Sequence, residues 1–178
     1  MIYMIMINVQ EKYKINSIKF INSLIMPEFY KYVIKNQFDV IDFYLKKIKY
    51  ADRGNKILTT TITKLKLIIP DYVHNNLPSA FLNILPKSYT VETKGEYDIK
   101  NKKAKFQSYS SIFKLINSTF TFNFSLEDNE NGCTRKMQFE MKCKLPLIGK
   151  KIEKIVLNKI KETNKKRWKI IDDFHSTI

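Results

Sequence analysis

The stretch STFTFNFSLEDNENGCTRKMQFEMKCKL, residues 118–145, has the most regular alternation of apolar and polar side chains in the chain. In residues 118–126, one face of an extended strand carries Phe120, Phe122 and Phe124. In residues 134–145, one face carries Met137, Phe139, Met141, Cys143 and Leu145. One apolar and one polar face are typical of an antiparallel sheet that is covered on one side. This segment therefore predicts a sheet whose apolar face needs a cover.

Further runs of the same kind extend the predicted sheet to about six or seven strands. They are residues 1–15, 38–50, 56–69, 89–99 and 103–112. One face of residues 56–69 carries Thr59, Thr61, Thr63, Leu65 and Leu67. We expect that face to point inward, because Lys64 and Lys66 lie on the other. Gly95, inside a predicted strand, indicates a bulge or a strong bend.

Two short helices are predicted near the N-terminus and a third between two strands. Asn16 and Ser17 can cap a helix that is expected to bury Ile18, Ile21, Leu24 and Ile25. Pro27 ends that helix and can open the next one. Residues 77–86 form a short apolar segment that covers the sheet edge or acts as a lid or membrane contact. Its apolar side chains are Leu77, Phe81, Leu82 and Leu85.

The C-terminal part of the chain predicts one long helix. Residues 150–174 contain no proline or glycine, and their apolar side chains recur at helical spacing. A helix of that length is about 38 Å long and can lie across a whole sheet. We therefore predict an α+β fold for residues 1–178 as a single domain, with a curved antiparallel sheet wrapped around this helix. Because one helix only partly fills such a sheet, an apolar cavity is expected between them.

The composition narrows the range of functions. Lys and Arg number 32 against 17 Asp and Glu, which gives a net charge of +15. The two cysteines are interpreted as reduced thiols, and with two histidines they are too few for a zinc module. His74 and His175 are expected to be exposed, and Glu92 and Glu96 to pair with lysines on the solvent side. We expect no cofactor, no metal and no enzymatic activity.

The predicted architecture resembles the helix-grip fold of the START-like superfamily. Residues 58–106, from LTTTITKLKLIIPDYVHNNLP to YTVETKGEYDIKNKKAKF, resemble the middle of PRELI/MSF1-type lipid-transfer proteins. Residues 143–156, CKLPLIGKKIEKIV, resemble the strand-to-helix junction of the VASt sterol-binding domain. The resemblance implies a lipid or another hydrophobic ligand, and the likeness to PRELI proteins favours an anionic phospholipid.

The hypothesis that follows is binding and intracellular transfer of a phospholipid in the cavity. The sheet is expected to line it with Thr61, Thr63, Leu65, Leu67, Phe120, Phe122, Phe124, Met137, Phe139 and Met141. The helix is expected to line it with Ile152 and Val156. Lys159, Thr163 and Arg167 interrupt the apolar stripe of this helix, and they either hold an anionic headgroup or extend their charges to solvent.

Two alternatives stay open. The basic final helix supports nucleic-acid binding, although surface aromatic residues for base stacking are not evident in the sequence. A ligand-free regulatory domain is the other alternative. For the lipid hypothesis we expect a monomeric intracellular protein, soluble or peripheral to membranes, that touches anionic membrane surfaces transiently. The cytoplasm and the mitochondrial intermembrane space both fit this expectation.

Overall fold

The computed structural model of the chain describes residues 3–37, 39–68, 75, 79–83, 85–111, 118–143 and 170–177. It describes the side chains of these residues except for residues 3–5, 80, 81, 118, 142 and 143.

Seven strands form one antiparallel sheet, at the upper end of the predicted number. They are β1 (Tyr3–Tyr13), β2 (Val40–Ala51), β3 (Lys56–Lys66), β4 (Ser88–Asp98), β5 (Lys103–Ser110), β6 (Ser118–Asn129) and β7 (Gly132–Cys143). Their order across the sheet is β1-β7-β6-β5-β4-β3-β2, so every neighbour in the sequence from β2 to β7 is also a neighbour in space. β1 alone crosses over, and it pairs with β7.

The helices lie before β2, between β3 and β4, and at the C-terminus. They are α1 (Ser17–Ser23), α2 (Pro27–Asn36), α3 (Ser79–Asn83) and the C-terminal helical segment, residues 170–177. The remainder of the predicted long helix, residues 150–169, lies outside the described residues. Among the helices that the structure describes, none is long and apolar enough to cross a lipid bilayer.

The predicted start of α1 is confirmed, but its predicted buried face is only partly right. The Asn16 side chain accepts a hydrogen bond from the Lys19 backbone N–H at 2.9 Å, which caps the helix. Ile18, expected to be buried, is 58% exposed, whereas Phe20 and Ile21 are buried. The helix is therefore turned so that Phe20 faces the sheet, and this rotation depends on where the sheet lies rather than on helix spacing.

Gly95 does not mark the bulge that the sequence predicts. The pairing of β4 runs without a shift through Gly95, which lies opposite Thr59 on β3 and Phe106 on β5. A Cβ atom at Gly95 would lie 2.8 Å from both the Phe106 ring and the Thr59 hydroxyl. Glycine is therefore required because the Phe106 ring lies against it. The register shifts lie in β2 instead, between Val40 and Asp42 and between Leu45 and Lys47.

A buried ion pair holds one end of the sheet to α1. Glu11 on β1 and Arg135 on β7 are paired across the two strands, and Arg135 donates to Glu11 Oε2. The Tyr13 hydroxyl donates to the same oxygen at 2.6 Å. The Arg135 guanidinium lies 5.3 Å from the ring centroids of Tyr13 and Phe20 and 5.8 Å from that of Phe124. The cation is thus enclosed by one carboxylate and three aromatic rings.

The C-terminal helical segment packs against α1 and α2 near this end. The Phe174 ring centroid lies 5.3 Å from that of Phe29 and 5.5 Å from that of Tyr32. The ring of His175, expected to be exposed, is half-buried, and its Nε2 lies 2.5 Å from the Ser23 hydroxyl. These contacts fix the direction from which the C-terminal chain approaches the sheet.

The first prediction concerns the buried ion pair. In Arg135→Met, the Glu11 carboxylate stays buried without its cation, so the free energy of unfolding should fall by about 3–5 kcal/mol. Removing both charges in Glu11→Leu/Arg135→Met should recover most of this loss, because no unpaired charge remains. Urea denaturation measures both effects.

The matched control is Lys136→Met, one residue along β7. Lys136 pairs with Glu127 at 2.6 Å, but both side chains are more than half exposed. Removing an exposed pair should cost less than about 1 kcal/mol. Equal losses in Arg135→Met and Lys136→Met would contradict a central role for the buried pair.

The second prediction concerns His175. Burial, followed by the positive charge of Lys19, lowers the pKa of His175 below its ordinary value of 6.5. The unfolded chain therefore takes up a proton at a higher pH than the folded chain, and this part of the stability is lost as the pH falls below about 6.5. The free energy of unfolding, measured in urea, should therefore fall more between about pH 7.5 and pH 5.5 for the wild type than for His175→Gln, whose side chain cannot titrate. Parallel losses in the two proteins would show that His175 is not the responsible group.

Candidate ligand-binding face

The side chains predicted to bind a ligand from the sheet lie on one face of it. We call this the inner face, because α1 packs on it through Phe20 and α2 through Tyr30. By register it carries Thr61, Thr63, Leu65, Phe120, Phe122, Phe124, Met137, Phe139 and Met141. Leu67 is half-buried just after β3. Their placement agrees with the alternation in the sequence, while their contact with a ligand stays a prediction.

Burial divides the inner face into two parts. Near the β4–β5 and β6–β7 turns, the inner side chains are at most 4% exposed: Ile57, Tyr97, Ala104, Phe124 and Leu126. We call this part the closed end. Toward the opposite ends of β2–β6, Val40, Ser108 and Ser110 are buried, but most inner side chains are only half-buried. The half-buried ones are Phe43, Leu45, Thr61, Thr63, Leu65, Val91, Thr93, Phe120 and Phe122. We call this part the half-buried region.

The half-buried region presents aromatic rings and a small number of hydroxyl groups. The Phe122 ring stacks on Phe106 with centroids 4.3 Å apart and 7° between the planes. The ring centroid of Phe139, a buried side chain of β7, lies 5.7 Å from that of Phe122 and 5.9 Å from that of Phe120. The Thr93 and Ser108 hydroxyls lie 2.9 Å apart and share a hydrogen bond. A mainly apolar surface with a few placed polar groups suits a hydrophobic ligand.

The segment predicted as a lid connects β3 to β4 at the half-buried end. The Leu67 backbone N–H donates to the Lys87 carbonyl at 2.9 Å and closes the base of this connection. Within it, α3 lies inside the predicted segment, and Leu82 and Leu85 are half-buried. The backbone of Phe81 belongs to α3, and Leu77 lies outside the described residues. The role of a lid stays a prediction.

The predicted contribution of the C-terminal helix lies outside the described residues. This applies to Ile152, Val156, Lys159, Thr163 and Arg167. Their lining of a cavity and their binding of a headgroup therefore stay predictions.

The charged pair of the inner face, Glu11 and Arg135, was not predicted from the sequence. Glu11 occupies one of the inward-facing positions of β1. Arg135 occupies the inward-facing position of β7 that comes two residues before Met137. A charge on each of two neighbouring strands, both on the apolar face, was the available signal. By contrast, the expected solvent-side pairs are confirmed: Glu92 binds Lys46 at 3.1 Å and Glu96 binds Lys56 at 2.9 Å.

Cys133 lies at the closed end as a buried free thiol. Burial raises the pKa of this thiol from 9.0 to about 11. Because the thiolate is the reactive form, Cys133 behaves as a small apolar side chain of the core.

Comparison with known proteins places this arrangement in a known fold. A family model described as a protein of unknown function, DUF2505, matches residues 51–173. No curated protein matches the sequence. The fold is similar to that of TTHA0849 from Thermus thermophilus, with a TM-score of 0.62 and 11% identity over 96% of both chains.

Two further solved structures share the architecture. Ara h 8.0201 has a TM-score of 0.62 and 12% identity, covering 99% of this chain and 100% of its own. Norcoclaurine synthase from Thalictrum flavum, in complex with dopamine and hydroxybenzaldehyde, has a TM-score of 0.52 and 12% identity, covering 99% and 88%. The predicted helix-grip fold, with a curved antiparallel sheet and a C-terminal helix, is confirmed.

The third prediction compares two phenylalanines on the same face of β6. Phe124→Ala removes a ring from the closed end and should cost about 3–5 kcal/mol of unfolding free energy. Phe122→Ala removes a ring that is only half-buried, and should cost about half as much because less apolar area leaves the interior. Urea denaturation with unchanged m-values measures the difference. Equal costs would contradict the division of the inner face into two parts.

Proposed function

The chain belongs to the DUF2505 family of proteins of unknown function, and we propose that it binds a hydrophobic ligand between the inner face of the sheet and the C-terminal helix. The observation that carries the proposal is the half-burial of Phe43, Leu45, Phe120 and Phe122, whereas the inner side chains of β7, Met137, Phe139 and Met141, are buried. Apolar side chains on a covered face are normally buried, so their remaining exposure indicates space that a ligand can fill.

The closed end sets the direction of entry. The aromatic rings around Arg135 seal the inner face at the β6–β7 turn, so a ligand enters from the opposite end. The connection that carries α3 lies at that end, which supports its role as a lid. In this arrangement α3 also makes the transient contact with an anionic membrane surface.

For the ligand itself we propose a phospholipid that the protein carries inside the cell. The resemblance of residues 58–106 to PRELI/MSF1-type proteins supports this choice. The apolar tails would lie against Phe120 and Phe122. The headgroup would meet Lys159 and Arg167, as the sequence analysis predicts.

We propose binding without chemical transformation. Among the described side chains of the half-buried region there are hydroxyl groups but no carboxylate, imidazole or thiol. Glu11 and Arg135 lie at the closed end and engage each other. Norcoclaurine synthase, an enzyme by name, is described with dopamine and hydroxybenzaldehyde, so a protein of this fold can hold small organic molecules. At 12% identity, no catalytic residue of norcoclaurine synthase can be assigned to a position of this chain.

The fourth prediction concerns variants that fill the proposed site. Thr63→Trp places a large ring in the half-buried region, while Lys64→Trp places the same ring on the opposite, exposed face of β3. Fluorescence titration with phosphatidic acid and phosphatidylcholine carrying a nitrobenzoxadiazole label should show binding to wild type and Lys64→Trp. Binding to Thr63→Trp should be about tenfold weaker or worse, since the space is filled.

Native mass spectrometry of the purified protein provides the second readout. Wild type should retain a lipid-sized mass that Thr63→Trp lacks, while circular dichroism shows that both variants are folded. Equal probe binding by the two tryptophan variants would remove the inner face from the mechanism. A preference for phosphatidic acid that persists in Lys159→Gln/Arg167→Gln would remove those two residues from headgroup recognition.

A further inference from the structure

A basic depression lies on the outer face of the sheet, opposite the proposed ligand-binding face. It has a volume of about 610 Å³ and spans β2 to β6. Lysine side chains surround it: Lys47, Lys49, Lys94 and Lys105. Between them lie the shorter polar side chains Thr60, Gln107, Thr121 and Asn123, together with Leu58 and one carboxylate, Glu96. This site uses none of the side chains assigned to the hydrophobic ligand.

The register of the strands explains why the lysines converge. A bulge between Leu45 and Lys47 changes the phase of β2, so that Lys47 and Lys49 both point outward, opposite Thr60 and Leu58. Lys94 on β4 and Lys105 on β5 point to the same face, beyond the intervening strand β3. At about 4.8 Å per strand, Lys47 and Lys94 lie on strands about 10 Å apart. Lys94 and Lys105 are diagonal neighbours, about 7–8 Å apart.

The positive charge of these four lysines is only partly offset within the described part of the chain, by Glu96, which lies opposite Lys105. None of them forms a salt bridge there, and the carboxylates beside them are engaged elsewhere: Glu96 binds Lys56 and Glu92 binds Lys46. Four like charges at this spacing repel one another, so an anion with several charges would relieve the repulsion.

Exposed aromatic side chains share the outer face with the lysines. Tyr44 is 46% exposed on β2 and Tyr109 is 42% exposed on β5. They are two members of one cross-strand row, Tyr44, Ile62, Glu92 and Tyr109, next to the depression. The Lys94 ammonium lies 5.3 Å from the centroid of the Tyr109 ring. A base stacked on either tyrosine would thus place its phosphate within reach of the lysines.

We propose that the outer face binds single-stranded nucleic acid across this depression. Lys47, Lys49, Lys94 and Lys105 contact phosphates, and Tyr44 and Tyr109 stack on bases. The combination of a basic groove and aromatic platforms is the general means of binding a single strand. A duplex keeps its bases paired and away from the tyrosines, and a flat bilayer surface does not enter a concave site.

The fifth prediction tests this proposal by measuring the fluorescence anisotropy of a fluorescein-labelled oligothymidylate at two salt concentrations. Four phosphate contacts give a slope of about −2.8 for log K against log salt, so raising the salt from about 50 to 200 mM should weaken binding about 50-fold. Replacing Lys47, Lys49, Lys94 and Lys105 by Gln should abolish both binding and slope. Tyr44→Leu and Tyr109→Leu should each weaken binding about tenfold while the slope stays the same.

The matched control removes four exposed lysines elsewhere, in Lys12→Gln/Lys31→Gln/Lys35→Gln/Lys100→Gln. It loses the same charge but should keep most of the affinity. Equal losses in the two quadruple variants would overturn the proposal, because net charge alone would then explain binding. Binding of wild type to phosphatidylserine-containing vesicles, with none to the oligonucleotide, would also overturn it and assign the face to membranes. Both outcomes are independent of lipid binding on the inner face.

Discussion

The inner face depends on the buried contact between Arg135 and Glu11. A guanidinium on the apolar side of a sheet is tolerated only when a carboxylate and aromatic rings replace the water it loses. Tyr13, Phe20 and Phe124 provide those rings from β1, α1 and β6. The contact therefore ties three separate segments to β7 and fills the inner face at that end. The inner side chains that remain half-buried lie toward the other end of the sheet.

The sheet separates two different chemical surfaces by the thickness of one strand layer. Inside, the half-buried side chains of β3–β6 are aromatic, aliphatic or hydroxyl-bearing, while outside the same strands carry lysines, carboxylates, amides and the exposed Tyr109. Gly95 lies at the junction, since the Phe106 ring fills the space on its inner side while its neighbours Lys94 and Glu96 point outward. The two surfaces can evolve independently, because alternate residues of each strand belong to different faces.

Local patterns were sufficient to predict most of the architecture. The alternation in residues 118–145 correctly predicted the inward side chains from Phe120 to Phe124 and from Met137 to Met141, while Leu145 and the Cys143 side chain lie outside the described part of the chain. Asn16 was also correctly identified as a cap, because both signals depend on neighbouring residues only. The errors concern contacts between distant segments. Gly95 is explained by Phe106 on the next strand, and Ile18 is exposed because the sheet lies on the Phe20 side of α1. The pairing of Glu11 with Arg135, 124 residues away, became visible only once β1 was placed beside β7.

The bulged strand β2 has a consequence beyond the placement of Lys47 and Lys49. β2 is an edge of the sheet, where backbone N–H and C=O groups face outward and could join a strand of another molecule. Its two register shifts interrupt the regular spacing of those groups, and its lysines add repulsion between copies. The irregularity that creates the basic depression thereby also protects this rim from forming extended intermolecular sheets.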